Sequence, residues 1–284
     1  MNNSSIFITG ASSGIGSATA LYLAKQGYTV LASVRKSADA DRLNQQGYHN
    51  LKTFCPLDLT KPEQIQTVAH SIKEQIQKNE LPPLYSVILV AGGGHIAPIE
   101  LMNLSDFREE LEKRLVGNIA LLQELIPLLR LTKGRILWIA TPGLFPVPYV
   151  ADIHAPDYAV NYLARTLNLE LHPDGIKNIL IRCGGIDTPS PKKAENNIIG
   201  QLTHCPKDRL AIYENRLVKL ENDLKKFASK RTEPEKVAEL IAKVLRANKP
   251  KVRYQIGHLS QMGAFFEKLP QSWVDFIMGK REGV

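Results

Sequence analysis

The chain has 284 residues, of which 44% are hydrophobic and 23% are charged. This composition is near the globular average and excludes collagen-like, low-complexity and wholly disordered chains. The net charge is +8, and residues 191–253 hold 16 basic and 8 acidic side chains, which accounts for the whole surplus. Because this Lys-rich segment has few aromatic side chains to stack on bases, we expect no nucleic-acid partner. It is either a solvated helical face or a surface that attracts an anionic partner or membrane.

Targeting signals are not evident in the sequence. No uninterrupted apolar run approaches the roughly 18–20 residues that cross a bilayer, so we expect no transmembrane segment. Residues 1–5 lack the basic region and apolar core of a signal peptide. The three cysteines, Cys55, Cys183 and Cys205, have no metal-ligand spacing and form no even disulfide set, which favours a reducing compartment. We therefore expect a cytoplasmic protein without a metal site.

Strand-like and helix-like patterns alternate along the chain. An apolar run at 6–8 is followed by a glycine-rich turn, a helical pattern that ends at Gly27, and a second apolar run at 28–34. Further strands are predicted at 51–55, 86–91, 135–140, 178–182 and 252–256, with helices near 62–78, 105–131, 157–172 and 234–247. Strands that are apolar on both faces predict an α/β fold with a doubly wound parallel sheet, in one domain over residues 1–284.

Two segments depart from this alternation. Residues 188–231 begin with a polar, Pro-containing stretch and continue as an amphipathic helix. Because this insertion follows a late strand, it is either a lid over the carboxyl edge of the sheet or a helix packed permanently on the core. Residues 259–284 form a predicted C-terminal helical extension. Its apolar cluster could pack on the core, line a pocket, touch a membrane or bind a partner.

The turn between the first strand and the first helix, Thr9–Gly16, predicts a dinucleotide site. Gly10 permits a tight turn, whereas Gly14 and Gly16 remove side chains where the backbone approaches a pyrophosphate and where the helix packs on the strand. The helix N-terminus then presents free N–H groups to the anion. The alternative is an empty structural turn. The predicted contacts from this turn are Gly10, Ser12, Ser13, Gly14, Ile15 and Gly16.

The end of the second strand indicates which dinucleotide is bound. Sites for NAD usually place a carboxylate here, against the ribose 2′-hydroxyl, but this sequence has Arg35 and Lys36. Both cations could contact a 2′-phosphate, and Arg can do so with two hydrogen bonds. The pattern favours NADP(H) over NAD(H), unless both residues are solvated surface cations.

Together these motifs resemble the short-chain dehydrogenase/reductase family, especially its hydroxysteroid- and retinol-dehydrogenase-like members, from the first strand to about Gly257. Thr9–Gly16 matches the family's TGxxxGxG. The resemblance implies an adenine contact at Asp58 and Leu59, and cofactor contacts at Ala91 and Gly92, where the family's NNAG is altered. It also implies that Ile186 and Thr188 meet the nicotinamide carboxamide. The fold implied by the family is a Rossmann fold, and the implied assembly is a homodimer or homotetramer. Family membership does not by itself imply activity.

The family's catalytic pattern is altered in this sequence. The family uses Asn, Ser, Tyr and Lys, with the Tyr as proton donor. A gapless comparison places the Asn position on Arg114, the Ser position on Thr141 or Ala140, the Tyr position on Ile153 and the Lys position on Asp157. Ile153 has no proton to donate. An inward-pointing Arg114 needs an anionic partner, so we predict an Arg114–Asp157 salt bridge.

Another comparison, shifted by one residue, offers substitutes. Thr141, His154 and Tyr158 then fall at the family's Ser–Tyr and Tyr–Lys separations, with His154 as acid or base. Pro156 suits the first turn of a helix and would leave His154 in the preceding loop. The sequence thus leaves two main functions open. One is an NADP(H)-binding family member with non-standard chemistry or a non-catalytic role. The other is an active NADP-dependent oxidoreductase on an apolar carbonyl or alcohol.

Overall fold

The computed structural model describes residues 4–90, 92–143 and 145–282. Its centre is a seven-stranded sheet of order β3-β2-β1-β4-β5-β6-β7, in which every neighbouring pair is parallel. The strands are β1 Ser5–Ile8, β2 Thr29–Ser33, β3 Leu51–Phe54, β4 Leu84–Leu89, β5 Arg135–Ala140, β6 Lys177–Cys183 and β7 Arg253–Ile256. The strand order reverses between β1 and β4, the point at which such sheets open a ligand crevice.

Helices cover both faces of this sheet. They are α1 Gly14–Lys25, α2 Ser37–Asn44, α3 Pro62–Gln77, α4 Leu104–Leu111, α5 Gly117–Thr132, α6 Ala151–Glu170, α7 Pro189–Glu195, α8 Ile198–Gln201, α9 Lys207–Ala228, α10 Pro234–Arg246, α11 Ser260–Phe266 and α12 Gln271–Glu282. A π-helical turn, Glu112–Val116, joins α4 to α5. The prediction of a single-domain Rossmann fold is confirmed.

The strands are buried on both faces because successive side chains point to opposite sides. On β1, Phe7 packs with α3 and α5 in one core cluster, whereas Ile6 and Ile8 pack with α1 and α10 in the other. All three side chains are completely buried. This explains why the strands are continuous apolar runs in the sequence.

Helix α6 begins earlier than predicted. It starts at Ala151 rather than near 157 and contains Pro156, so the prediction that His154 lies in a loop is wrong. A proline here removes only the hydrogen bond that its N–H would have made to the Asp152 carbonyl. The backbone N–H groups of Ile153 and His154 already bond to the Val150 carbonyl, which closes the first turn.

The helical run Leu104–Thr132 is long and apolar enough, by length and composition alone, to cross a membrane. The run was not predicted from the sequence, because charged residues interrupt its apolar stretches. Four of its leucines, Leu121, Leu122, Leu125 and Leu129, are buried in the core against the sheet. Core packing accounts for part of the apolar character of this run, since 33% of its most apolar window is buried.

The insertion and the C-terminal extension are both helical. Helix α9 buries Leu217 in a small third cluster with Ile198 and Leu202 of the insertion and with Ile96 and Leu101 after β4. The extension is attached by ion pairs from Glu267 to Arg182 and Arg253. Its α12 buries Val274 and Met278 but leaves Trp273 and Phe276 exposed, so core packing does not account for those two aromatic side chains.

Candidate cofactor and active site

A cavity of about 610 Å³ lies at the carboxyl edge of the sheet, where the strand order reverses. Its wall is formed by the loops that follow the first six strands, β1 to β6. Helix α6 and, from the insertion, helix α7 complete the wall. Open α/β sheets bind their ligands at this position. The volume is also that of a typical small-molecule site.

The glycine-rich turn forms one side of this cavity. Gly10 and Gly14 have φ angles of +64° and +54°, which side chains rarely adopt. A Cβ atom on Gly14 would lie 2.9 Å from Thr188 Cγ2, and one on Gly16 would overlap the Gly10 carbonyl oxygen. Helix α1 begins here with Ser13 as an N-cap that makes no side-chain capping bond. The first N–H groups of α1 therefore suit an anion such as a pyrophosphate.

The cavity brings together most of the predicted cofactor residues. Those that line it are Gly10, Ser12, Ser13, Gly14, Ile15, Arg35, Asp58, Leu59, Gly92 and Thr188. Three others lie elsewhere among the described residues. Gly16 packs behind the turn, Lys36 is exposed at the start of α2, and Ile186 is buried in the core. The prediction for Ala91 falls outside the described residues.

Asp58 is held as a hydrogen-bond acceptor at this wall. Its Oδ1 accepts from the Thr60 backbone N–H at 3.0 Å and from the Thr60 hydroxyl at 2.9 Å. Partial burial raises the pKa of Asp58, but the bonds from Thr60 and the nearby Arg35 and Lys113 outweigh that effect, so the pKa is lowered. An ionised carboxylate here can accept a hydrogen bond from a ligand.

The predicted Arg114–Asp157 salt bridge is confirmed. Arg114 Nη1 lies 3.1 Å from Asp157 Oδ1, and Nε lies 3.1 Å from Glu110 Oε2. The remaining nitrogen, Nη2, donates to the Gly93 carbonyl oxygen. Asp157 Oδ2 accepts from the backbone N–H of Thr141 at 2.9 Å. One guanidinium therefore connects α4, α6 and the loop after β4.

A π-helical turn places Arg114 at the cavity. Such turns insert one extra residue into a helix and often occur at functional sites. Here the turn Glu112–Val116 contains Arg114, and Asn118 Nδ2 donates to the Arg114 carbonyl oxygen at 2.9 Å. The following Gly117 is in close contact with the backbone of Leu59, whose carbonyl oxygen a Cβ atom would overlap. Helix α5 therefore packs on the loop after β3 at the point where the π-helical turn changes into the α-helix.

The cavity distinguishes the two sequence comparisons of the catalytic residues. Ile153 and Asp157, four residues apart on one face of α6, both line it. Neither His154 nor Tyr158 is among the described residues that do. Thr141 is on the wall, and its Oγ1 is buried without a hydrogen-bond partner in the described part of the chain. The cavity wall therefore carries the residues of the gapless comparison, whereas His154 and Tyr158 lie away from it.

The surroundings of His154 and Tyr158 agree with their position away from the cavity wall. Burial lowers the pKa of His154, and Arg114 lowers it further against the opposing effect of Asp157. Burial and the Glu267 carboxylate raise the pKa of Tyr158 to about 12, against the effect of Arg182. Tyr158 thus faces the ion pairs that attach the C-terminal extension, not the cavity. A phenol with so high a pKa is a poor proton donor.

Sequence analysis missed several residues on the cavity wall. They are His95, Glu110, Lys113, Lys193 and Gln201. His95 directly follows three glycines in the loop after β4, and its Nδ1 lies 3.1 Å from Asp152 Oδ2. The only local signal for this loop is the glycine run Gly92–Gly94. His95 and Asp152 are 57 positions apart, so no local pattern could have paired them.

Comparisons with known proteins agree with the architecture. Residues 4–198, more than half of the chain, match the family model for short chain dehydrogenases. The 3-amino-tetrahydro-pyrrolizinone reductase of Xenorhabdus hominickii is 29% identical over 263 residues, which cover 90% of this chain and 88% of that enzyme. The human 11-beta-hydroxysteroid dehydrogenase type 2 is 34% identical over 196 residues, 65% of this chain. The chain spans only about half of that enzyme, because the match covers 46% of its length.

A solved structure shares the fold. The alcohol dehydrogenase of the archaeon Thermococcus sibiricus, in complex with 5-hydroxy-NADP, superposes with a TM-score of 0.69 at 22% identity. The match covers 91% of this chain and 97% of that one. With the matching family model and the cavity at the strand-order reversal, these findings establish that the chain belongs to the short-chain dehydrogenase/reductase family, whose members bind nicotinamide cofactors.

Proposed function

We propose that this protein binds NADP(H) in the cavity and lacks the family's Tyr–Lys proton relay. A single observation carries the proposal: the glycine-rich turn and the Arg114–Asp157 pair are on the wall of the same cavity. The turn supplies a cradle for the pyrophosphate. The gapless sequence comparison places Arg114, Ile153 and Asp157 at the family's Asn, Tyr and Lys positions, which supports the loss of the relay.

The preference for the 2′-phosphorylated cofactor rests on the rim near β2. Arg35 lines the cavity at the end of this strand. A second guanidinium, that of Arg42, donates to the Ser12 carbonyl oxygen and pairs with Asp39 at 2.9 Å. Arg35 and Ser12 both line the cavity. They provide a cation and a hydroxyl that can bind a phosphate. The alternative for Arg35, a solvated surface cation, predicts equal affinity for both cofactors.

The residues at the other end of the cavity limit the chemistry. A bound nicotinamide cofactor would supply or accept hydride there. Ile153 cannot exchange a proton, and Asp157 already accepts hydrogen bonds with both carboxylate oxygens. Arg114 uses three nitrogens within the protein, so it positions the loop after β4. Any redox reaction in this cavity needs a proton from a different group.

Titration with NADPH and NADH, followed by cofactor fluorescence, tests binding. The expected result is one saturable site per chain with tighter binding of NADPH. Gly14→Ala should weaken binding at least tenfold, because the new Cβ would press on Thr188. Gly47→Ala is the matched control, since Gly47 also has a positive φ, +75°, but nothing within 4 Å of the Cβ position. Absence of saturable NADPH binding by the wild type would refute the proposal.

Location, assembly and partners extend this proposal. We infer a cytoplasmic protein that forms homodimers or homotetramers, takes a small apolar ligand in the cavity and has no nucleic-acid partner. The family resemblance supports the oligomeric state, and the cysteine usage supports the compartment. Light scattering coupled to size-exclusion chromatography tests the assembly, and a mass equal to that of one chain, 31.6 kDa, would contradict it.

A further inference from the structure

We propose that His95 is the catalytic acid–base residue of this cavity, and that it protonates the oxygen of an apolar carbonyl substrate in place of the family's tyrosine. The inference rests on the proposed binding of NADP(H) in the same cavity. It assigns a proton donor to a site in which Ile153 and Asp157 provide none, and it makes the protein a carbonyl reductase with a non-standard relay.

Two hydrogen bonds to one carboxylate oxygen hold His95 in place. The backbone N–H of His95 donates to Asp152 Oδ2 at 2.8 Å, and the ring Nδ1 lies 3.1 Å from the same oxygen. With Asp152 ionised, Nδ1 carries the hydrogen of this bond. The ring orientation is then fixed. Nε2 lies 4.0 Å from Asp106 Oδ2 on α4, beyond hydrogen-bond distance, so it can still exchange a proton with a substrate. Asp152 is thus a positioning residue for His95.

The imidazole is next to the position at which the family's tyrosine is expected. Gly94, which precedes His95, packs directly on Ile153, because a Cβ atom on Gly94 would overlap Ile153 Cγ1. Asp152 precedes Ile153 on the first turn of α6. Both His95 and Ile153 line the cavity, and the His95 side chain is 46% exposed. The loop after β4 therefore places an ionisable ring on the part of the cavity wall where α6 carries Ile153 and not a tyrosine.

This pairing is not what a purely structural role would produce. Asp152 is completely buried, and its Oδ1 has no hydrogen-bond partner in the described ranges. Its burial raises the pKa of Asp152, and the bonds from His95 only partly oppose that effect. A buried carboxylate whose polar partner is a half-exposed histidine costs folding stability. Such costs are typical of functional sites.

The proposed reaction is balanced without a lysine. A bound reduced nicotinamide would supply a hydride, a proton with two electrons, to the carbonyl carbon and would itself be oxidised. As the C=O π bond opens, the oxygen takes the proton from Nε2 of the His95 imidazolium, and the product is an alcohol. Neutral His95 then regains a proton from water at its exposed edge. The imidazolium is itself the proton donor, so this step uses no lysine.

The test compares His95→Gln, His95→Ala and wild type, with His70→Gln as the matched control because His70 is exposed on α3, away from the cavity. NADPH oxidation is followed with 4-nitrobenzaldehyde, acetophenone and cyclohexanone. We expect His95→Gln to lower kcat about 100-fold with KM and NADPH affinity changed less than about twofold. Imidazole added to His95→Ala should restore part of kcat, which a structural defect would not allow. Asp152→Asn should lower kcat with an unchanged KM.

A second readout does not require turnover. In protein labelled with ¹⁵N-histidine, NADPH should shift the His95 ring resonances and leave those of His70 in place. If the wild type does not bind NADPH, the proposed function fails. The inference about His95 alone fails in three cases: NADPH binds without turnover of any of the three carbonyls, His95→Gln turns over at the wild-type rate, or imidazole does not rescue His95→Ala.

Discussion

Asp157 accepts a hydrogen bond from the Thr141 backbone and an ion pair from Arg114 while it is almost fully buried. Removal of one member of a buried pair leaves the other charge without its compensation. We expect Asp157→Ala to lower the free energy of unfolding by about 3 kcal/mol, measured by urea denaturation. The control is Asp174→Ala, which removes the exposed pair with Arg130 and should change it by less than about 1 kcal/mol. Equal effects of the two substitutions would contradict the account.

Arg35 and Lys36 are adjacent cations, but only Arg35 is among the described residues that line the cavity. A charged hydrogen bond to the 2′-phosphate contributes about 1.5–3 kcal/mol, so Arg35→Ala should weaken NADPH binding at least tenfold and leave NADH binding unchanged. Lys36→Ala is the control and should change neither affinity more than about twofold. A loss below threefold for Arg35→Ala, or an equal loss for NADH, would show that the cofactor preference is wrong.

At the residue scale, the sequence predicts contacts that follow from one strong physical requirement. The Arg114–Asp157 pair is such a case, because an inward-pointing guanidinium needs an anion. His95 and Asp152 are not predictable in this way. Each is an unremarkable polar residue in sequence, and only the fold brings the loop after β4 onto the first turn of α6.

Helix α4 contributes a buried carboxylate that links it to the loop after β4. Glu110 Oε2 accepts from the Gly93 backbone N–H at 2.9 Å and pairs with Arg114. Burial raises the pKa of Glu110, but Arg114, the Gly93 N–H and Lys113 outweigh it, and the pKa lies below its ordinary value near 4.5. A lowered pKa stabilises the fold above the unfolded-state value, and this contribution is lost as the pH falls through the folded-state value.

The consequence can be measured with Glu110→Gln. Urea denaturation at several pH values between 3 and 7 should show the variant less stable than wild type near neutrality. The difference should shrink below about pH 4.5, where the unfolded chain takes up the proton first. A difference that is constant across this range would contradict the lowered pKa. Glu63→Gln, exposed on the first turn of α3, is the control for general acid effects.

The insertion reaches the cavity through α7 and α8, since Ser190, Lys193 and Gln201 are on its wall. A lid predicts that NADPH slows hydrogen exchange in residues 189–201, and a permanently packed helix predicts no change. We expect slower exchange there, with α12 unchanged as the internal control. Equal exchange with and without NADPH would contradict the lid.

At the scale of elements, local patterns predict strands and long helices well and helix starts poorly. The bounds of α3 and α10 agree with prediction within one residue at each end, because proline marks the first turn of each. In α6 the same rule misleads, since Pro156 is the sixth residue. Val150 provides no side-chain cap. Asp152 on this first turn accepts hydrogen bonds from His95, which is remote in sequence.

For the whole molecule, alternation of apolar strands with amphipathic helices is sufficient to predict the layered α/β architecture. The order of the strands and the cavity at their reversal depend on long-range pairing, and only the family resemblance implied them. The cofactor half of the cavity follows from local glycine geometry and is largely predictable. The catalytic half depends on how one turn of α6, a π-helical turn and a glycine-rich loop pack together. No single segment of the sequence predicts this packing.

The most direct test is the structure of the complex with NADPH, and the measurement is which side chains lie within about 4 Å of nicotinamide C4. The account predicts that Ile153 and His95 are the side chains facing this end of the cavity, with Arg114 still paired to Asp157. A tyrosine hydroxyl and a lysine ammonium against the nicotinamide ring, from any part of the chain, would contradict it.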